Sequence, residues 1–539
     1  MNGGSIDGHA LALVLFVAFV SVSLLLCGLA AADSDDPEQF YTGSATARPA
    51  ASGLAVAGDY ISVATLLSTT GSVALVGYDG VLFAFATVLS LTLLALVLAR
   101  PLRGRNRFTL GDLLSERLGE RSVRVAMGVA VLVTVMPLLV VQLAAAGEIM
   151  TVMLDLPGDA LTGCTIATGA LMVCFSASGG MRGTGYVQIL KTVVLVGAVL
   201  LLAGLVLSRF GWSPPALWDA AAEGSGQGSA YGTPGLQFGD SVTGTLDLIG
   251  FHMTLALGAA CMPHVMMRLH PVRSGRHVRA TMGWAVGAVA LVCGGVVVVG
   301  LGAAALVGAP ALRAADPAGG TALLMVTAAL DPGVAPAHSV LFAIVAIAVF
   351  ATTLAAVAGI AVAAAASVAH DLAPSARRRS RTAGMPETGR ARRAVLAVGA
   401  VAVLLSVLAQ HRNPQILFSF TFAVAASAIA PVVLCVLFVP GTTARGVRWA
   451  LYGTPLLTAV LMAVSPATSG IPTALFPGHD FHVFPLQTPG LVTIPAGFAL
   501  CLLGSRLRRR GDGRPGRSPD GPAHWAAAQQ PAAEPGNRP

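Results

Sequence analysis

Thirteen apolar windows govern what this chain can become, near residues 9–31, 52–76, 79–99, 123–151, 158–178, 187–208, 243–264, 281–308, 337–369, 394–409, 415–439, 450–467 and 489–505. Each approaches or exceeds the length of helix that crosses roughly 30 Å of hydrocarbon. The segments at 394–409 and 489–505 lie near the lower limit. Backbone polar groups inside a bilayer must be satisfied within the chain, so such windows imply helices. The fold class that follows is an all-α polytopic membrane protein with about 13 transmembrane helices, partnered by the lipid bilayer. Only 11% of residues are charged, whereas soluble domains carry about a quarter. No segment outside the windows is large enough for a soluble domain.

The seven cysteines all sit in apolar runs without a CxxC pair, which speaks against a disulfide frame or a zinc site. A net charge of +8 is not a nucleic-acid signature here, because the arginines cluster in short loops between windows, where they encode topology. No nucleic-acid partner is expected. The first window ends in the small residues CGLAAA, yet no basic residue precedes it and Asp7 does. A retained helix is expected rather than a cleaved signal peptide.

Arginines 100, 103, 105 and 107 follow the third window, 273, 276 and 279 the seventh, the run Arg377 to Arg393 the ninth, and Arg506 to Arg510 the last. An even number of crossings separates these loops, so all fall on one face. By the positive-inside rule that face is the cytoplasm, with the N-terminus outside, in a multi-pass protein of the cell membrane. The acidic stretch DSDDPE (Asp33 to Glu38) falls on the same face and strains the scheme. Loops 209–242, 309–336 and 468–488 are expected outside, the first reading as flexible. Residues 506–539 read as a disordered cytoplasmic tail rich in Pro, Gly and Ala.

One window departs from the apolar pattern. Between Gly53 and Gly77 it carries Asp59 together with Ser62, Thr65, Ser68, Thr69 and Thr70. Such groups are costly in hydrocarbon unless they face a cavity, so they mark a solute or ion path. Asp59 lies about seven residues into its helix, roughly 10 Å deep at 1.5 Å per residue. Setting the first window and its linker (1–51) aside, 52–208 and 243–439 form two five-helix units beginning on opposite faces, joined by the external loop 209–242. Two further helices occupy 440–505. Transporters built this way bind substrate at the midplane, against interrupted first helices of each unit. Here the first unit's helix is expected to break around Gly58-Asp59 and again at Ser68 to Gly71, and the second unit's helix carries Gly250, Gly258 and Pro263.

Six motifs in order then carry a resemblance: GLAVAGDYIS, GYDG, RFTLGDLLSERL, GGMRGTGYVQILK, PHVMMR (Pro263 to Arg268) and FATTLAAVAGIAVAAAASVAHDL (Phe350 to Leu372). From about residue 9 to 505 the chain resembles the sodium:solute symporter family, and within it the cation/acetate (monocarboxylate) branch. The resemblance implies a 5+5 inverted-repeat, LeuT-like core and uptake of acetate or a similar short monocarboxylate by cation-coupled symport. Pyruvate, propionate or proline are alternative solutes, and a nutrient sensor with a symporter-like membrane part is an alternative class. An enzyme is not expected, since HExxH, GxSxG and paired membrane acids are missing from the sequence.

The family's sodium site uses backbone carbonyls of the first core helix and hydroxyls of the eighth. By motif these fall at Gly58 and Ile61, and at Ala355 and Ala356, which have no hydroxyl. A hard cation wants oxygen ligands. Thr352 and Thr353 lie about one turn earlier, which leaves three readings open: Thr353 with Asp59 nearby replaces them around Na+, the coupling ion is a proton on Asp59, or transport is uncoupled. No other cofactor is implied, and a small membrane partner is left open. For the solute, Asp59, Tyr60, Ser62, Thr65 and Gln142 are the candidates, the amide of Gln142 being able to donate to a carboxylate. Lys191, the only lysine, reads as snorkelling to the interface. His252 and His264 read as structural, GGMRGTG as a tight cytoplasmic turn, and no deep arginine is expected opposite the cavity.

Overall fold

The computed structural model describes residues 8–32, 40–41, 43, 48–102, 108–270, 274–332, 334, 339–373, 387–410, 415–471 and 474–507. Contacts divide the chain into Met1–Ser505 and Arg506–Pro539, and of the second unit only residues 506–507 are described. The acidic stretch 33–38, several loop arginines (103, 105, 107, 273, 377–379 and 381) and the tail from residue 508 lie outside the described residues.

The described chain is built of helices. In order they are α1 Gly8–Ala32, α2 Pro49–Tyr60, α3 Val63–Val76, α4 Tyr78–Leu102, α5 Leu110–Leu118, α6 Arg121–Met153, α7 Leu161–Arg209, α8 Pro214–Gly224, α9 Val242–Ala260 and α10 Pro263–Met267. Then follow α11 Gly275–Leu306, α12 Ala309–Ala315, α13 Ala322–Leu330, α14 Val340–Leu372, α15 Glu387–Ala409, α16 Gln415–Phe438, α17 Ala444–Ala463 and α18 Gly490–Arg506. Within the described residues the apolar windows lie on these helices, those at 52–76 and 243–264 on two helices each. Nine are long and apolar enough to cross a membrane, and α2 with α3 makes a tenth span, bent by 62°.

Helix α7 holds two windows. Its 49 residues would run about 74 Å if straight, at 1.5 Å per residue, more than twice the hydrocarbon thickness. The chain turns at Gly180, where φ is +53° and a side chain would meet the ring of Phe40. GGMRGTG is therefore a glycine kink with helix on both sides, not a loop. Only glycine adopts that backbone without cost.

At the centre lies α14, buried along almost its whole length from Phe342 to Ala366 and packed on α7, α6, α1 and α15. Its alanine and glycine run lets backbones approach, which is how helices associate where no hydrophobic force acts between them. The loop 209–242 is not the flexible connector its composition suggests. Ser213 caps α8 by accepting from the Ala216 N–H, and Tyr231 is buried with its hydroxyl donating to the Val73 carbonyl at 2.5 Å.

Both unit-opening helices are broken, each a few residues from its expected position. The first stops at Tyr60; Ile61 and Ser62 are extended, and the Ser62 hydroxyl accepts from the Thr65 N–H to start α3. Ser68 to Gly71, expected as a second interruption, is continuous helix because the cap has already restarted it. The second stops at Ala260, and after Cys261 and Met262 the helix resumes at Pro263. A proline opening a helix lacks only an N–H that has no intrahelical partner.

Candidate functional site

The two breaks face one cavity of about 30 Å³, lined on one side by Asp59, Tyr60, Ser62 and Thr65, and on the other by Met262, His264 and Val265. Leu138 of α6, Ala356 of α14 and the edge-to-face pair Phe418 and Phe422 of α16 close it. Four of the five expected solute residues are thus brought together. Tyr60 donates its hydroxyl proton to the Thr87 carbonyl at 3.1 Å, so the ring shapes the wall. Gln142 is not part of the immediate lining, but it follows Leu138 by four residues on α6, and such residues share a helix face. It is fully buried, and neither its amide nitrogen nor its oxygen has a hydrogen-bond partner among the described residues.

Asp59 is 3% exposed and does not reach a surface. Its carboxylate pairs with the Arg268 guanidinium and accepts from the Gln188 amide at 2.5 Å. Arg268, just after α10, is itself buried and also donates to the Met181 carbonyl and the Thr184 hydroxyl. This corrects the expectation of no deep arginine. The PHVMMR segment reads as inner-edge sequence, and only the break at Met262 shows that its last residue turns into the bundle. Gly359 of α14 makes room for the acid, since a methyl group there would lie 2.6 Å from an Asp59 oxygen.

The largest departure is Lys191. It is 0% exposed and does not snorkel. Its ammonium donates to the carbonyls of Gly58 and Ile61, at 2.5 Å each. Those are the two carbonyls expected to hold sodium. They are free because the last carbonyls of a helix have no intrahelical partner, and α2 ends there. Gln188, Lys191 and Thr192 share one face of α7: Gln188 reaches Asp59 and the Ala355 carbonyl, and Thr192 reaches the Leu54 carbonyl. Gly58 lets this face approach, as a side chain there would lie 2.7–2.8 Å from Gln188 and Thr192.

Thr352 and Thr353 are buried and donate to the carbonyls of Ala348 and Phe350, at 2.7 Å each. Ala356 touches the cavity but brings no oxygen side chain. His264 lines the cavity with its Nδ1 unpartnered among the described residues, whereas the His252 Nδ1 is satisfied by the Leu248 carbonyl at 2.8 Å.

A second polar cluster joins α5, α6, α14 and α15. Asp112 accepts from the Phe108 and Thr109 N–H groups and pairs with Arg124 at 2.8 Å and His370 at 3.0 Å. His370 also meets Glu387 at 2.9 Å, and Thr109 donates to Asp371 at 2.6 Å. Burial pushes the Asp112 carboxyl upward, but the His370 hydrogen bond and charge, the backbone donors and Arg124 outweigh it and hold it below its usual value.

The sequence model of the sodium:solute symporter family matches residues 40–454. A monocarboxylic acid transporter of Corynebacterium glutamicum is 34% identical over 503 residues, covering 91% of this chain and 90% of that protein. An uncharacterized symporter, YwcA, of Bacillus subtilis is 31% identical over 92% of this chain and 94% of its own length. Among solved structures, a Na+-coupled sialic acid symporter in a substrate-bound outward-open state superposes with TM-score 0.71, at 12% identity, covering 92% of this chain and 98% of that one. A nucleobase-cation-symport-1 family transporter in a closed conformation gives 0.52 at 15% identity, over 87% and 94% of the two chains.

Proposed function

Because the chain belongs to the sodium:solute symporter family, and is therefore a cation-coupled symporter with the inverted-repeat fold of its structural neighbours, we propose that its solute is acetate or a similarly short monocarboxylate. The cavity between the two helix breaks carries this reading. About 30 Å³ is room for a small solute, which suits an acid of a few heavy atoms. One end is polar: Ser62 and Thr65 stand at the N-terminus of the 14-residue α3, where the helix dipole favours an anion. The other end is apolar, with Leu138, Phe418 and Phe422 to receive a methyl or ethyl group. The Gln142 amide, without a partner among the described residues and one turn from Leu138 on α6, is the donor we assign behind this lining. The relative described as a monocarboxylic acid transporter supports the same class.

A monoanion entering a cell of negative interior works against about 2.3 kcal/mol per 100 mV, and one monovalent cation removes that load. We place the arginine-rich loops in the cytoplasm and the solute path across the cell membrane. The test is counterflow. Proteoliposomes preloaded with unlabelled acetate should take up radiolabelled acetate faster than protein-free liposomes, with competition by propionate and pyruvate but not by proline or a sugar acid. Gln142→Leu should weaken acetate competition at least tenfold. Counterflow of proline without acetate would refute the assignment.

A further inference from the structure

We infer that the coupling cation is a proton carried by Lys191, whose ammonium stands between the Gly58 and Ile61 carbonyls where the family's sodium would bind. The inference deepens the symport reading above and rests on it for the identity of the solute. Two cations cannot share one pair of carbonyls at 2.5 Å. The side of the site that would complete a sodium shell is Ala355 and Ala356. Asp59, the alternative proton carrier, is already matched by Arg268 and Gln188. That pair cancels, so the ammonium is the charge left over beside a cavity suited to a monoanion. Chemistry also favours lysine, because a buried lysine can surrender its proton whereas arginine keeps its own.

The titratable and charged groups on the elements around Lys191 can be named element by element. Asp59 and Tyr60 come from α2, and His264, within reach of the lysine's charge, and Arg268 from α10 and its exit. Cys261 precedes α10 and Cys293 lies on α11, while α14 offers no titratable residue between Val340 and Ala366. Helices α1, α6 and α15 carry theirs within about two turns of their ends. Loaded, the ammonium holds three protons and donates two to the carbonyls. When the cavity opens inward one N–H bond breaks, the electron pair stays on nitrogen, and the proton leaves to water. The amine is then neutral, and the anion loses the charge that held it. Outside, the amine takes a proton from water and the anion is favoured again. Such reciprocal stabilisation is what coupling requires.

The test has arms that do not depend on a variant folding. Purified wild-type protein should melt at the same temperature in sodium chloride and choline chloride; a sodium-specific stabilisation of several degrees overturns the inference whatever the solute. In proteoliposomes at clamped potential and neutral external pH, an inside-alkaline gradient without sodium should raise the initial rate of net acetate entry above that of protein-free liposomes. A sodium gradient alone should not, and stimulation by sodium overturns the inference. Lys191→Met should lose the proton-driven rate at least tenfold; proton-driven entry at the wild-type rate in that variant also overturns it. Absence of acetate counterflow in the wild type refutes the solute reading instead, and leaves the sodium melting arm as the test of the cation site.

Discussion

Asp59 illustrates how one buried charge is made tolerable. An isolated carboxylate at this depth would not stay ionised, but Arg268 supplies the opposite charge, Gln188 an amide donor, and Gly359 the space. Breaking such a pair leaves the partner charge buried alone, which typically costs about 3–5 kcal/mol. Asp59→Asn and Arg268→Gln should therefore each lower the melting temperature of the purified protein sharply, while the double variant recovers most of the loss. Simple addition of the two losses would show that the groups do not act as a pair. Gly359 sits under the same constraint. Gly359→Ala adds a methyl 2.6 Å from the carboxylate oxygen, and the neighbouring helix must shift to accept it.

Broken helices place backbone carbonyls and N–H groups at membrane depth, where only protein-lined cavities tolerate them. Each break is sealed by local chemistry, Ser62 capping α3 and Pro263 opening α10. The element that stabilises the first break is α7, whose Gln188–Thr192 turn bonds to it at several points. Short α5 is fixed differently. Thr109 and Asp112 form a capping box, and the same two residues reach Asp371 and His370 of α14. Asp112 has a depressed carboxyl in the folded protein, so its contribution is fully present above the ordinary value of 3.8 and is lost as pH falls through the lower folded value. Wild-type protein should thus lose melting temperature more steeply below about pH 4 than Asp112→Asn does, while Asp112→Asn is the less stable of the two at pH 7. Parallel pH profiles would show that this latch adds no acid-side stability.

At the scale of the molecule, the all-helical membrane fold was legible because hydrophobic length is a direct readout of bilayer thickness. Asp59, Ser62 and Thr65 were legible too, since polar residues stand out in apolar windows. What could not be read is direction. Lys191 and Arg268 both lie near window ends, where a long cationic side chain reaches water as readily as it reaches the core, and only the tertiary arrangement decides. The fold of loop 209–242 was hidden by its glycine content, although Pro214 and Ser213 form a legible helix start. Orientation can be checked directly. A cysteine replacing exposed Thr233, in a background without the native thiols, should react with a membrane-impermeant maleimide on intact cells, whereas Arg276→Cys should be protected until the cells are lysed. The attachment of Lys191 to α7 has a further consequence. A diffusible ion can bind in ones or twos, but a cation fixed to the chain contributes one charge per cycle, neither more nor less. Its carrier can concentrate an acid only as far as the pH difference allows, about tenfold per pH unit, which is the limit that passive entry of the uncharged acid also obeys. On the mechanism inferred above, such a protein gains nothing in final level and everything in speed, most where the surroundings are neutral and the uncharged acid is scarce.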